Sequence, residues 1–161
     1  LKKEKIAIVG SGKSSQLGIK IAQRFGSELS AQGLVVTSGL AHGIDAAAHA
    51  GVLEGDGKTI AVFGSGIDTI YPRNHERLAR RLVERGLIVS EFPIGTPPLG
   101  RHFPQRNRIV TGMSLGTVVI EATLKSGSMI SANMAMEQCR DVFAIPGSIY
   151  SIHSAGFHEL M

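Results

Sequence analysis

Six short runs of apolar residues, most of them closed by a turn-forming residue, constrain this chain more than any other feature. Ile6-Ala7-Ile8-Val9 stops at Gly10-Ser11-Gly12, Leu34 to Thr37 stops at Ser38-Gly39, and Thr59 to Phe63 stops at Gly64-Ser65-Gly66. Leu87 to Ser90, Thr117 to Glu121 and Val142 to Ile145 complete the series. The runs are continuous rather than alternating, which is the pattern of strands buried on both faces. Helical periodicities fall between them. From Gln16 to Gln32, Leu17, Ile21, Phe25 and Leu29 recur every four residues before Gly33. His42 to Glu54, a segment from Asn74 to Gly86, Arg106 to Met113 and Ser128 to Gln138 read as the other helices. The proline-containing stretch from Phe92 to Pro104 is expected as a loop.

Strands alternating with helices predict an α/β fold with a doubly wound, mostly parallel sheet and helices on both faces, an extended Rossmann-like arrangement. In such sheets ligands sit beyond the carboxyl ends of the strands. The loops that matter are then those at Gly10, Ser38, Gly64, Phe92, Glu121 and Pro146. The most distinctive is the second, where Ser38-Gly39-Leu40-Ala41-His42-Gly43 leads into an alanine-rich helix. Gly39 and Gly43 permit a tight turn and a close approach to a bound group. Asp45 is expected to cap free N–H groups in the first turn of that helix.

The 161 residues suit one domain, residues 1–161, with 43% hydrophobic residues to form a core. The single cysteine, Cys139, cannot form an internal disulfide and fits a reducing compartment. There is no signal peptide and no apolar run long enough to span a membrane, so a soluble cytoplasmic protein is expected. A net charge of +4 permits an anionic partner without requiring one.

Several motifs imitate known chemistry. Gly12-Lys13-Ser14 resembles the end of a P-loop, but Ala7 stands where the first glycine belongs. Gly10-x-Gly12 lacks the third glycine of a dinucleotide fingerprint, since position 15 is serine. Gly112-Met113-Ser114-Leu115-Gly116 has the letters of a nucleophile elbow with helix and strand in reversed order. Asp45 and His49 share a helix face near His42, yet no third ligand is evident, so a partly buried histidine is the expected reading. The Arg77, Arg81, Arg85 stripe reads as a solvated face.

Two stretches fit an anion-binding surface better. Phe103-Pro104-Gln105-Arg106-Asn107-Arg108 places an aromatic, amides and two guanidiniums at a loop-to-helix junction. The aromatic can stack on bases and the arginines can hold phosphate, or Phe103 plugs the core and the arginines pair with Glu91 or Glu121. Lys125-Ser126-Gly127-Ser128 offers a lysine, two hydroxyls and free N–H groups where a strand turns into a helix.

Taken in order, these stretches resemble the DprA/Smf family of DNA-processing proteins. The resemblance runs through Ser38 to His49, Tyr71-Pro72, Ser90 to Pro93, Phe103 to Ile109, Val119 to Ala122, Ser126 to Ser128, Arg140 to Ser148 and Ser154-Ala155-Gly156. It implies a non-enzymatic, single-stranded DNA-binding protein without a cofactor or metal, acting as a homodimer. It further implies protection of incoming strands and help in loading the RecA recombinase during natural transformation. The family often adds a small N-terminal helical domain and a C-terminal winged-helix domain, so this chain is expected to be the central domain alone. The residues carried over as nucleic-acid-binding are Gly10, Ser11, Lys13, Gly39, His42, Gly43, Phe103, Arg106, Asn107, Arg108, Lys125, Ser126, Gly127 and Ser128. Two positions depart from the family pattern. Gly12-Lys13 replaces the usual arginine after the first strand, and His42 replaces a usual Arg or Lys, so fixed positive charge is lost at both.

An enzyme reading competes. Leu115 to Glu121 is similar to the Gly-Thr-x-x-Glu portion of nucleotide phosphoribohydrolases once labelled lysine decarboxylase-like, although Met113-Ser114 stands where those have a glycine pair.

Overall fold

The computed structural model describes residues 2–123 and 126–145 of the chain. Six strands, β1 (Lys5–Gly10), β2 (Val35–Ser38), β3 (Thr59–Phe63), β4 (Leu87–Ser90), β5 (Gly116–Ile120) and β6 (Asp141–Ala144), form one sheet. The order is β4-β3-β2-β1-β5-β6, and every neighbouring pair is parallel. Five helices alternate with them: α1 (Gln16–Ala31), α2 (Ile44–Glu54), α3 (Glu76–Arg85), α4 (His102–Gly112) and α5 (Gly127–Glu137). This is the doubly wound Rossmann-like sheet that the apolar runs predict.

The core forms where the strands' two faces meet the helices. Ile6, Ile8, Val36, Val118 and Ile120 pack with Ala22 of α1 and Ile44, Ala48 and Val52 of α2 on one side. Ala7, Val9, Ile60, Val62 and Val119 pack with Val110 of α4 and Met129 and Ala132 of α5 on the other. Successive residues of β1 therefore enter opposite cores, which is why its apolar run has no polar gaps. In α1 the buried stripe is Gly18, Ala22 and Gly26, not the larger Leu17, which is 66% exposed. Small residues there let α1 and α2 come close together.

Three sequence expectations need correction. The helix expected from Arg106 begins at His102, so Phe103 and Pro104 are helical and not loop. Proline is tolerated in a first turn, where its missing N–H has no intrahelical partner to lose. Asn74 lies in a short 3-10 turn, Arg73–His75, that precedes α3. The arginine stripe is not merely solvated: Arg81 donates to the Leu53 carbonyl at 3.2 Å and Arg85 donates to that of Gly55, both at the carboxyl end of α2. Cations there offset the negative end of the helix dipole.

His49 is fully buried in α2, its Nδ1 2.7 Å from Thr59 Oγ1. The Thr59 hydroxyl donates to the Val36 carbonyl, so His49 must donate through Nδ1–H and leave Nε2 unprotonated in the core. Burial, followed by the nearby charges of Arg106 and His75, lowers its pKa to about 3. In the unfolded chain the ring titrates near the ordinary value of about 6.5. The folded pKa is depressed, so this stabilisation is complete above about pH 6.5 and is lost as pH falls toward 3. A urea midpoint that declines across that window, and declines less in His49→Leu, is the expected result.

Candidate functional site

The strand order reverses between β1 and β5, so the loops after these strands leave in opposite directions and open a crevice. A cleft of about 340 Å³ lies at this carboxyl end. Gly10, Ser11 and Gly12 line it from the β1 loop, and Gly39, Ala41 and His42 from the β2 loop. Tyr71 and Pro72 face it from the loop after β3, Phe103, Arg106 and Asn107 from α4, and Ser126, Gly127 and Ser128 from the start of α5.

The β2 loop is shaped by two buried charges. Asp45 Oδ2 accepts the N–H of Gly39 at 3.1 Å and of Ala41 at 3.4 Å. The carboxylate thus turns back to the preceding loop instead of capping its own helix as the sequence suggests. Arg106, 4% exposed, donates to the Gly39 carbonyl at 2.6 Å, to the Val62 carbonyl, and to Asn107 Oδ1 at 3.0 Å. Gly39 is therefore held at its amide by Asp45 and at its carbonyl by Arg106, and the chain turns at Leu40 with a φ of 60°. Burial raises the Asp45 pKa, and Arg106 together with the two N–H groups pulls against that. Burial likewise lowers that of Arg106, against the attraction of Asp45.

Three of the helix N-termini at this end of the sheet, those of α1, α2 and α5, are not equivalent. That of α1 is filled. Ser15 caps it, and the Glu121 carboxylate accepts the Ser15 N–H at 2.7 Å and the Ser15 hydroxyl. An internal anion so occupies the place where a dinucleotide-binding sheet holds pyrophosphate. The α2 terminus is closed over by the β1 loop, with Ile44 N–H donating to the Ser11 carbonyl at 3.3 Å. Gly43 makes this possible: its φ is +75°, and a side chain there would overlap Ser11. The α5 terminus carries no side-chain cap, and the Ser126 and Ser128 hydroxyls lie 2.7 Å apart at its mouth. Across the cleft the rings of Tyr71 and Phe103 lie 5.4 Å apart, with the Arg106 guanidinium 5.8 Å from the Phe103 centroid.

The structure thus brings together Gly10, Ser11, Gly39, His42, Phe103, Arg106, Asn107, Ser126, Gly127 and Ser128. Gly43 supports the wall from behind, and Lys13 is exposed outside the lining. Arg108 points away and pairs with Glu91, one of the two arrangements the sequence left open. Lys125 lies outside the described residues. Sequence reasoning assigned no role to Tyr71, whose only signal was its adjacency to Pro72 in the family resemblance. It missed that Asp45 and Arg106 act on the same peptide, because they are far apart in the chain.

The enzyme reading loses its residue. Three residues, not two, separate Thr117 from Glu121, and the Glu121 carboxylate is engaged at α1 rather than lining the cleft. Ser114 is buried and donates to the Val110 carbonyl, so the serine of the elbow-like letters is not presented as a nucleophile.

Comparison with known proteins agrees with this fold. The chain is 48% identical over 157 residues to protein Smf of Escherichia coli K12, covering 97% of this chain and 42% of that protein. It is 47% identical over 161 residues to the DNA processing protein DprA of Streptococcus pneumoniae, covering 100% and 57%. It spans about half the length of these curated relatives. The solved S. pneumoniae DprA matches with a TM-score of 0.91 at 46% identity, over 99% of this chain and 56% of that one. DNA processing protein A from Helicobacter pylori, studied for its single-stranded DNA binding mode, matches with a TM-score of 0.91 at 32% identity, over 98% and 71%. The family model described as DNA recombination-mediator protein A matches residues 1–161, and the chain belongs to that family.

Proposed function

We propose that the carboxyl-end cleft binds single-stranded DNA and that this unit is a binding module, not an enzyme. One observation carries the reading: an uncapped helix terminus with two hydroxyls faces a pair of aromatic rings across a single cleft. The N–H groups and hydroxyls of Ser126 to Ser128 suit a phosphate, and Tyr71, 47% exposed, offers a ring face to a base. In this reading the binding residues are those lining the cleft, with Lys13 and Gly43 beside it, and Arg108 and Lys125 kept from the sequence resemblance alone. In this reading the chain is the Rossmann-like domain of a longer cytoplasmic protein. That protein forms homodimers, protects incoming strands and helps load the RecA recombinase during natural transformation. Similarity to relatives with those names supports this wider role.

Gel shifts with an oligothymidine test the core of the proposal. Binding is expected to weaken with added salt and to exceed binding to a duplex of equal length. Tyr71→Ala is expected to cost about 1–3 kcal/mol of affinity with the melting temperature unchanged. Equal affinity for duplex, or an indifferent Tyr71→Ala, would sink it.

A further inference from the structure

The sheet has a second concave end. At the amino ends of the strands, opposite the cleft just described, a cavity of about 550 Å³ is lined by Lys2, Lys3, Lys5, Lys58 and Arg85, with Glu84 as the one carboxylate among the described lining residues. The parallel sheet gathers these residues, since Lys5 begins β1, Lys58 precedes β3 and Arg85 precedes β4. The length of β1 sets the two ends about 20 Å apart.

Basic residues at this end have an ordinary role, because the carboxyl ends of helices point here and favour cations. Arg81 and Arg85 fill that role at α2, and Arg85 also lies 3.6 Å from Asp56. Lys5 donates to the Lys3 carbonyl at 2.7 Å. Lys2, Lys3 and Lys58 are exposed, and among the described residues their side chains make no ion pair or hydrogen bond. The positive surplus lining this cavity is as large as the net charge of +4 on the whole chain. The carboxyl-end cleft is balanced by contrast, with Arg106 set against Asp45. Among the described residues this end therefore offers a polyanion a concentrated patch of positive charge.

We propose that this amino-end cavity is a second phosphate-binding surface, occupied by the backbone of the same single strand after it leaves the carboxyl-end cleft. Among the described residues no aromatic side chain lines it, so what they offer a strand is charge and not stacking. A concave rank of lysines suits a chain of phosphates better than a flat lipid surface. The inference rests on the reading of the first cleft as a strand-binding site.

The test compares the native chain with a Lys2→Gln/Lys3→Gln/Lys58→Gln variant on two oligothymidines. One is just long enough for the carboxyl-end cleft, and one is long enough to reach round the domain. For the long strand, the variant is expected to bind about tenfold more weakly at low salt, with a log–log salt slope smaller by about 2. The short strand should bind both proteins equally, and Lys→Arg replacements at the same three positions should restore long-strand affinity. Equal losses on both strands, or no loss on the long one, would overturn the inference. So would lysine-dependent capture by phosphatidylglycerol vesicles without any effect on strand binding. If the native chain binds the long strand through these lysines and ignores the short one, the first cleft's assignment fails while the second surface stands.

Discussion

Asp45→Ala is expected to destabilise the fold by about 3–5 kcal/mol, because it leaves the buried Arg106 cation without its counter-charge. The same substitution strips the Gly39 and Ala41 N–H groups of their acceptor. Asp45→Asn separates the two effects: it keeps an acceptor for the loop and removes only the charge. Arg106→Met removes the cation and its bonds to the Gly39 and Val62 carbonyls. The double variant Asp45→Ala/Arg106→Met is expected to be more stable than the sum of the single changes allows, by about 1–3 kcal/mol of coupling. Urea unfolding of the native chain, Asp45→Ala, Arg106→Met and the double variant measures this, and strict additivity would show that the two charges do not act on each other. Because both groups hold Gly39, each single variant is also expected to weaken strand binding by disordering the β2 loop.

Gly10→Ala is expected to cost about 3 kcal/mol, near the upper end for a small-to-large change in a packed core. An added Cβ there would overlap the Ile120 carbonyl oxygen and stand 2.5 Å from Ile44 Cγ1. The carbonyl belongs to β5, which pairs with β1 through Gly10 itself, so it cannot retreat without loosening the sheet. A fall in melting temperature of about 10 °C is the expected reading for a chain of this size. Gly100→Ala is the control: nothing lies within 4 Å of its Cβ position, and its effect should stay within about 0.5 kcal/mol. Equal effects at the two positions would refute the close-approach account.

The part of this protein that could be read from the sequence is the part governed by local patterns. Continuous apolar runs placed all six strands within a residue or two, and in the four central strands burial on both faces is what keeps the run free of charged positions. Their alternation with helices gave the parallel sheet, and the parallel sheet singled out the loops at Gly10, Ser38, Gly64, Phe92, Glu121 and Pro146 as the candidate ligand end. Local reasoning failed where a residue's partner lies far along the chain. Phe103-Pro104 looks like loop because proline breaks helices, yet in a first turn it costs nothing. Asp45 looks like a cap for α2, and only the packing of α4 against the β2 loop turns it toward Gly39 beside Arg106.

The sequence by itself determined the fold class, the family and the end of the sheet that holds the candidate cleft, since these follow from residue order and from periodicities of a few residues. Only the tertiary structure decided which polar groups are available to a ligand. Hydrogen-bond satisfaction is a property of neighbours in space: Glu121 is engaged by Ser15, Arg108 by Glu91 and Arg106 by two carbonyls, while the α5 terminus keeps no side-chain cap.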